Sequence, residues 1–182
     1  NGVKTIVKQS FGVEQIIDWF YDASGVLYSL DSSGTVYKKM ADNQITQVAK
    51  VGSYATAIAQ LDVQTLLVAN QYGEVKKVSL STGEVTPFMD RLPFALTDIL
   101  VGDDQKVYIT SNTNRVWVYS NTGNPLPPDL YSPLSDPAMA IDDLNGKQLI
   151  VNAFVGYDGY RILTQVNKDG SFTATTVPAT HL

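Results

Sequence analysis

Short apolar runs, each closed by a turn rich in Asp, Asn, Ser or Gly, follow one another along this chain with a period of about forty residues. Asp22, Asp62, Asp103 and Asp143 mark the phase at intervals of 40, 41 and 40 residues, and each is read as part of a polar turn between two apolar segments. Four residues after the first three stand Val26, Leu66 and Val107, which open strand-like runs over 26–30, 66–69 and 107–110. In the fourth repeat Asn145 and Gly146 lengthen the turn, and Leu149 opens the matching run to Val151. A second turn follows in every copy, over 31–34, 70–73, 111–114 and, with extra residues, 152–159. Gly or Asn at the end of such a turn tolerates positive φ, while Asp, Asn or Ser at its start caps the backbone with a side-chain oxygen.

Beyond that turn a third strand is predicted over 35–38, 74–80, 115–120 and 160–166, and its β-branched and aromatic content argues against helix. A third turn then leads, in three repeats, to a fourth strand over 44–51, 84–88 and 171–177. The first strands, 15–21, 55–61, 96–101 and 138–142, are nearly all apolar or small, as suits strands covered on both faces by stacked sheets. The expected architecture is all-β: a propeller-type array of four-stranded antiparallel sheets in one domain, with repeats at about 13–51, 54–90, 95–136 and 137–178. Residues 1–12, with a strand over 3–8, are expected to supply an outer strand to a neighbouring or closing sheet. A closed four-bladed ring, part of a larger ring, and two half-rings forming an eight-bladed one all fit this pattern. Repeat three departs from it, because 124–137 carries five of the eight prolines. Proline cannot donate to a ladder, so a surface strap is expected there in place of a regular outer strand.

Composition narrows the function classes. At 182 residues and 44% hydrophobic content the chain can bury a core without a disulfide or metal staple, and its zero cysteines remove thiol catalysis and zinc-thiolate sites. Thirteen basic against eighteen acidic residues, net charge -5, form no basic stripe able to displace counterions from a phosphate backbone, so nucleic acid is not an expected partner. No apolar run reaches the roughly 20 residues of a membrane span, so the chain is read as soluble. Richness in Thr, Ser, Asn, Gln and Tyr with modest Lys points to an extracellular or cell-surface setting.

The segment from Asp22 to Tyr37, a polar turn, an apolar run, Asp31, Gly34 and Val36-Tyr37, resembles a repeat of the propeller group that includes NHL and gluconolactonase-like (SMP-30-like) proteins. That resemblance implies a propeller fold. It also carries one enzymatic option, a metal-dependent hydrolase or lactonase in which oxygen ligands hold a divalent cation such as calcium at the mouth of a central channel. Candidate ligands by type are Glu14, Asp18, Asn70, Asp98 and Asn152, against a plain reading in which Asn70 and Asn152 cap turns and Asp18 and Asp98 end on a solvated rim. The acids at Asp103-Asp104, at Asp142-Asp143 and at Asp169 do not match a calcium-hand loop and are read as solvated turn residues. The one histidine, His181, is penultimate, so a Ser-His-Asp arrangement is not expected, and no catalytic residue is assigned.

The least repeat-like segment, 152–160, sets Phe154, Tyr157, Asp158 and Tyr160 among glycines. A loop with aromatics that need not fill a core is a candidate contact surface for a protein or carbohydrate, weighed against simple packing over the sheet ends. Trp19 and Trp117 lie within strand patterns and are expected in the core. The expected role is non-catalytic: a binding or structural module that uses loops at one end of a propeller and needs no cofactor. The alternatives are the metal-dependent hydrolase and a self-assembling subunit that exchanges exposed strands with other copies.

Overall fold

The computed structural model describes residues 15–113, 115–126, 130–131, 138–144, 147–152, 160–166 and 172–178; they form sixteen strands and, among the described residues, no helix. Sheet 1 holds β1 (Ile16–Tyr21), β2 (Leu27–Asp31), β3 (Thr35–Lys39) and β4 (Ile45–Lys50). Sheet 2 holds β5 (Ala55–Asp62), β6 (Thr65–Asn70), β7 (Val75–Ser79) and β8 (Val85–Pro87). Sheet 3 holds β9 (Leu96–Val101), β10 (Lys106–Ser111), β11 (Arg115–Ser120) and β12 (Leu130–Tyr131). Sheet 4 holds β13 (Ala138–Leu144), β14 (Lys147–Asn152), β15 (Tyr160–Val166) and β16 (Phe172–Pro178). Every sheet is an antiparallel meander in chain order, so one sheet falls in each predicted repeat. Two compact units result, residues 1–91 with sheets 1 and 2 and residues 92–182 with sheets 3 and 4.

Period-2 alternation decides which side chains are buried. In the first unit Tyr28, Leu30 and Val36 of sheet 1 pack with Ile58, Leu66, Val68 and Val78 of sheet 2, and Ala49, Val51 and Ala55 complete the cluster. Leu30 and Leu66 are fully enclosed, which stabilises the pairing by about 1.5–3 kcal/mol each. In the second unit Tyr108, Val116 and Val118 of sheet 3 pack with Ile141 of sheet 4, flanked by Leu100 and Leu126. The tryptophans differ from expectation: both are half-buried, Trp19 against Leu27 beside Ile16 and Tyr37, and Trp117 stacked on Phe94.

Each first strand carries a bulge at the same place. Register skips between Ile16 and Asp18, between Ala55 and Ala57, between Leu96 and Asp98, and between Ala138 and Ala140. A bulge inserts one unpaired residue and re-aims its neighbours, and here it brings Asp18 and Asp98 to matching positions in sheets 1 and 3, with Ala57 and Ala140 at the same place in sheets 2 and 4.

The turns follow the predicted chemistry. Asp22 Oδ1 accepts the N–H groups of Ser24 and Val26, and Asp31 Oδ1 accepts those of Ser33 and Thr35, all at 2.8–2.9 Å. Gly34 closes the second of these turns at φ +77, and a Cβ there would stand 1.8 Å from the carbonyl oxygen of Gly52. In the third repeat Asp103 lies in the polar turn as predicted, and its neighbour Asp104 accepts the N–H of Lys106 at 3.2 Å. The fourth repeat departs from the expected turn position. Asp143 lies inside β13 opposite Gln148, and Leu144 pairs with Lys147, so these two strands run further than predicted; Asn145 and Gly146, expected to lengthen the turn, lie outside the described residues. The proline-rich stretch reduces the outer strand of sheet 3 to two residues, with Pro125 bridging to Tyr119. The strand expected over 3–8 lies outside the described residues.

Candidate functional site

At one end of sheet 2 three connections meet: β4–β5, the β6–β7 turn and β8–β9. The β6–β7 turn runs Asn70-Gln71-Tyr72-Gly73-Glu74 and repeats the Asp31 geometry. Asn70 Oδ1 accepts the N–H of Tyr72 at 2.8 Å and of Glu74 at 3.1 Å, its Nδ2 donates to Glu74 Oε2 at 2.8 Å, and Gly73 sits at φ +84. Gly there accommodates the left-handed backbone, so Tyr72 is carried outward at the tip.

The β4–β5 connection is held as firmly. Val51 donates its N–H to the carbonyl of Gly34 at 2.8 Å, and its own carbonyl accepts Lys76 Nζ at 2.9 Å. Gly52 then turns the chain at φ +108, and Tyr54 follows at φ +65. A left-handed conformation for a bulky residue costs of order 1–3 kcal/mol and persists only where surrounding contacts over-determine it. The contact here is the Tyr54 carbonyl, which accepts the N–H of Gln71 at 3.0 Å. Sheets 1 and 3 make the same bond with other residues: Ser32 donates to Gln15 and Asn112 to Ala95, both at 2.9 Å. Tyr54 thus occupies a place filled by Gln and Ala elsewhere.

The result is an edge-to-face tyrosine pair, with centroids 5.3 Å apart and planes at 74°, in which Tyr54 is 55% and Tyr72 49% exposed. Arg91, an exposed residue in the β8–β9 connection, donates Nε to the carbonyl of Tyr72 at 2.6 Å. The sequence reading missed this corner. Tyr54 and Tyr72 are single aromatics in separate turns 18 residues apart, and no local pattern signals positive φ at a tyrosine.

Of the sequence-predicted contact residues, Phe154, Tyr157 and Asp158 lie outside the described residues, and Tyr160 opens β15 opposite Pro178. Of the cation candidates, Glu14 lies outside the described residues and Asn152 ends β14 opposite Ala138. Asn70 is buried with Oδ1 committed to its own turn. Asp18 Oδ1 accepts the N–H of Trp19 and Oδ2 that of Ile58, both at 2.8 Å. Asp98 repeats this with Ile99 at 2.8 Å and Ile141 at 2.9 Å. Both carboxylates therefore fasten one first strand to the next. Among the described residues no three of His, Cys, Asp or Glu gather as a cation would require.

Two groups have displaced proton affinities, and neither belongs to the tyrosine corner. Burial, reinforced by the charge of Asp22, pushes the Tyr28 hydroxyl up. At Asp104 burial pushes upward, but hydrogen bonds from Lys106 Nζ at 2.9 Å and Tyr108 Oη at 2.8 Å outweigh it, and the carboxyl is held below the usual range.

No protein-family model matches the chain, and no curated protein matches it in sequence. Solved structures do match in fold. Selenomethionine-substituted virginiamycin B lyase from Staphylococcus aureus superposes with a TM-score of 0.71 at 10% identity, over 90% of this chain and 56% of that one. A catalytically inactive variant of that lyase with quinupristin gives 0.70 at 12% identity, over the same shares. The computationally designed Ika4 protein gives 0.60 at 14% identity, over 92% of this chain and 95% of that one. The chain spans little more than half the length of the lyase and nearly the whole of the designed protein. It has a β-propeller-type fold, all-β and built from four-stranded antiparallel sheets. Among the described residues no helix is long and apolar enough to cross a membrane.

Proposed function

We propose that the chain is a non-catalytic binding module of propeller type that engages its ligand through loops at one end of its sheets, with the Tyr54–Tyr72 corner as the contact surface. The observation that carries this reading is the backbone conformation of Tyr54: a strained φ holds an aromatic ring in solvent, at a place where sheets 1 and 3 use Gln15 and Ala95. Preorganised, half-exposed tyrosines give large contact area at small entropic cost, which is the profile of a recognition surface. An extracellular or cell-surface setting, proposed on composition, suits such a module. The test is a screen of glycan and peptide libraries with the wild type and the Tyr54→Ala/Tyr72→Ala double variant. At least one ligand class should bind the wild type tenfold or more tightly. If every ligand treats the two proteins alike, the reading fails.

The resemblance of 22–37 to NHL and gluconolactonase-like repeats supports a second reading, a metal-dependent hydrolase or lactonase. It fits the residues less well. Asp18, Asp98 and Asn70 already accept main-chain N–H groups, so a cation recruited there would have to leave two N–H groups unpaired for each oxygen set it took. Lactone hydrolysis that depends on added calcium or manganese and is lost in Asp18→Asn would favour it. Assembly through exposed outer strands, including 3–8 and 171–177, is a third reading, and native mass in solution tests it.

A further inference from the structure

We infer that the tyrosine corner takes a sugar carrying a carboxylate, a uronate residue of an acidic glycan; this rests on the binding reading above and names the ligand. Three features select that chemistry. The first is the rings: two half-exposed tyrosines at 74° offer one face and one hydroxyl-bearing edge, which match the C–H face and hydroxyl rim of a pyranose. Ser53 and Gln71, both exposed and next in sequence to the two tyrosines, add neutral hydrogen-bonding side chains to these turns.

The second is the guanidinium. Arg91 spends Nε on the Tyr72 carbonyl, is exposed and makes no ion pair among the described residues, so its two terminal nitrogens are available to a ligand at the corner. Two parallel N–H donors match the two oxygens of a carboxylate. The third is charge balance. Lys76 is committed to the Val51 carbonyl at 2.9 Å and lies 3.8 Å from Glu74, whereas Arg91 has no ion pair among the described residues and is the exposed cation bonded to the tyrosine turn itself.

A peptide fits less well. An extended peptide gains affinity from main-chain bonds to a free sheet edge. The outer edge strand of sheet 2, β8, is three residues long and ended by Pro87, so it offers almost no ladder to extend, and the other edge strand, β5, is packed against sheet 1.

The experiment is calorimetric titration, with amide and tyrosine-ring NMR, of the full chain against trimers of galacturonate, glucuronate and mannuronate and their neutral counterparts, followed by the variants Arg91→Gln, Arg91→Lys and Tyr54→Gly. At least one uronate should bind about tenfold tighter than its neutral counterpart, with shifts at Tyr54, Tyr72 and Arg91. Arg91→Gln, which keeps a donor for the Tyr72 carbonyl and removes the charge, should erase that preference, and Arg91→Lys should restore it in part. Tyr54→Gly should lose binding of both sugars while keeping the melting temperature. Equal binding of acidic and neutral sugars at the rings would overturn the inference and leave the binding reading standing. So would tyrosine-dependent binding of a peptide with no uronate binding. Loss of neither sugar in Tyr54→Gly would overturn both.

Discussion

Asp18 Oδ2 accepts the main-chain N–H of Ile58 at 2.8 Å across forty positions of sequence, and eighty residues after Asp18 the carboxylate of Asp98 does the same with Ile141 at 2.9 Å. The equivalent positions in sheets 2 and 4 are Ala57 and Ala140, which have no such group to offer. The forty-residue repeat therefore sits inside an eighty-residue one, in which an aspartate sheet is fastened to the alanine sheet that follows it. Each of the two compact units holds one such pair.

Removing either carboxylate leaves two N–H groups in a partly buried site without their acceptor. A hydrogen bond to a charged group contributes roughly 1.5–3 kcal/mol, so Asp18→Ala and Asp98→Ala should each lower unfolding free energy by about 2 kcal/mol or more. Asp18→Asn should recover only part, because one of its two acceptors becomes a donor facing a donor. Urea denaturation checks this. A loss below about 0.5 kcal/mol in both alanine variants would mean that the sheets are held by packing alone.

Gly25 and Gly34 both sit at positive φ, +82 and +77, but their surroundings separate them. A Cβ at Gly25 meets nothing within 4 Å, so Gly25→Ala should cost only the conformational penalty, about 1 kcal/mol. At Gly34 the Cβ would stand 1.8 Å from the Gly52 carbonyl oxygen, and the Val51 N–H bond to the Gly34 carbonyl prevents the strands from parting. Gly34→Ala should cost more than about 3 kcal/mol or prevent folding. Comparable melting temperatures for the two variants would contradict the close approach.

Much of this was legible in the sequence. The bounds of β9, β11 and β15 coincide with the predicted strands, because each is a run of β-branched and aromatic residues between turn-forming polar ones. Asp22, Asp31 and Asn70 cap turns as their positions imply. Asp18 and Asp98 were visible only as oxygen-bearing side chains, since their partners are main-chain N–H groups of another sheet, which carry no sequence signature. The bulges that equate Asp18 with Ala57 shift the count by one residue and conceal the alternation. The tyrosine corner was hidden for a related reason: it exists only once a turn and a connection 18 residues apart are brought to one end of sheet 2.

Asp104 predicts a pH dependence. Its carboxyl is held below the ordinary value of about 3.9 in the folded chain, so the stability it contributes is fully present above that value and is lost as pH falls through the lower, folded one. With side-chain exposure of 37% at Asp104 and 46% at Lys106, solvent screening keeps that contribution below about 1 kcal/mol. Asp104→Asn should therefore leave stability nearly unchanged near pH 2 and lower it slightly at pH 7, making the acid limb of the stability curve shallower. A carboxyl carbon titration by NMR with a midpoint above 4 would reverse the sign and refute the assignment.

Tyr54 separates stability from function. If its ring were needed for packing, Tyr54→Gly would weaken the fold, because glycine removes the side chain and adds entropy to the unfolded state. The ring is 55% exposed and its residue sits at φ +65, where glycine carries no steric penalty. The relief of roughly 1 kcal/mol of backbone strain should offset the entropic cost, and the variant should melt within a few degrees of the wild type. Tyr54→Ala keeps most of the strain and loses the ring as well, so it should be the less stable of the two. A clearly destabilised Tyr54→Gly, with Tyr54→Ala no worse, would make the ring part of the core and remove the argument that strain is retained there for binding.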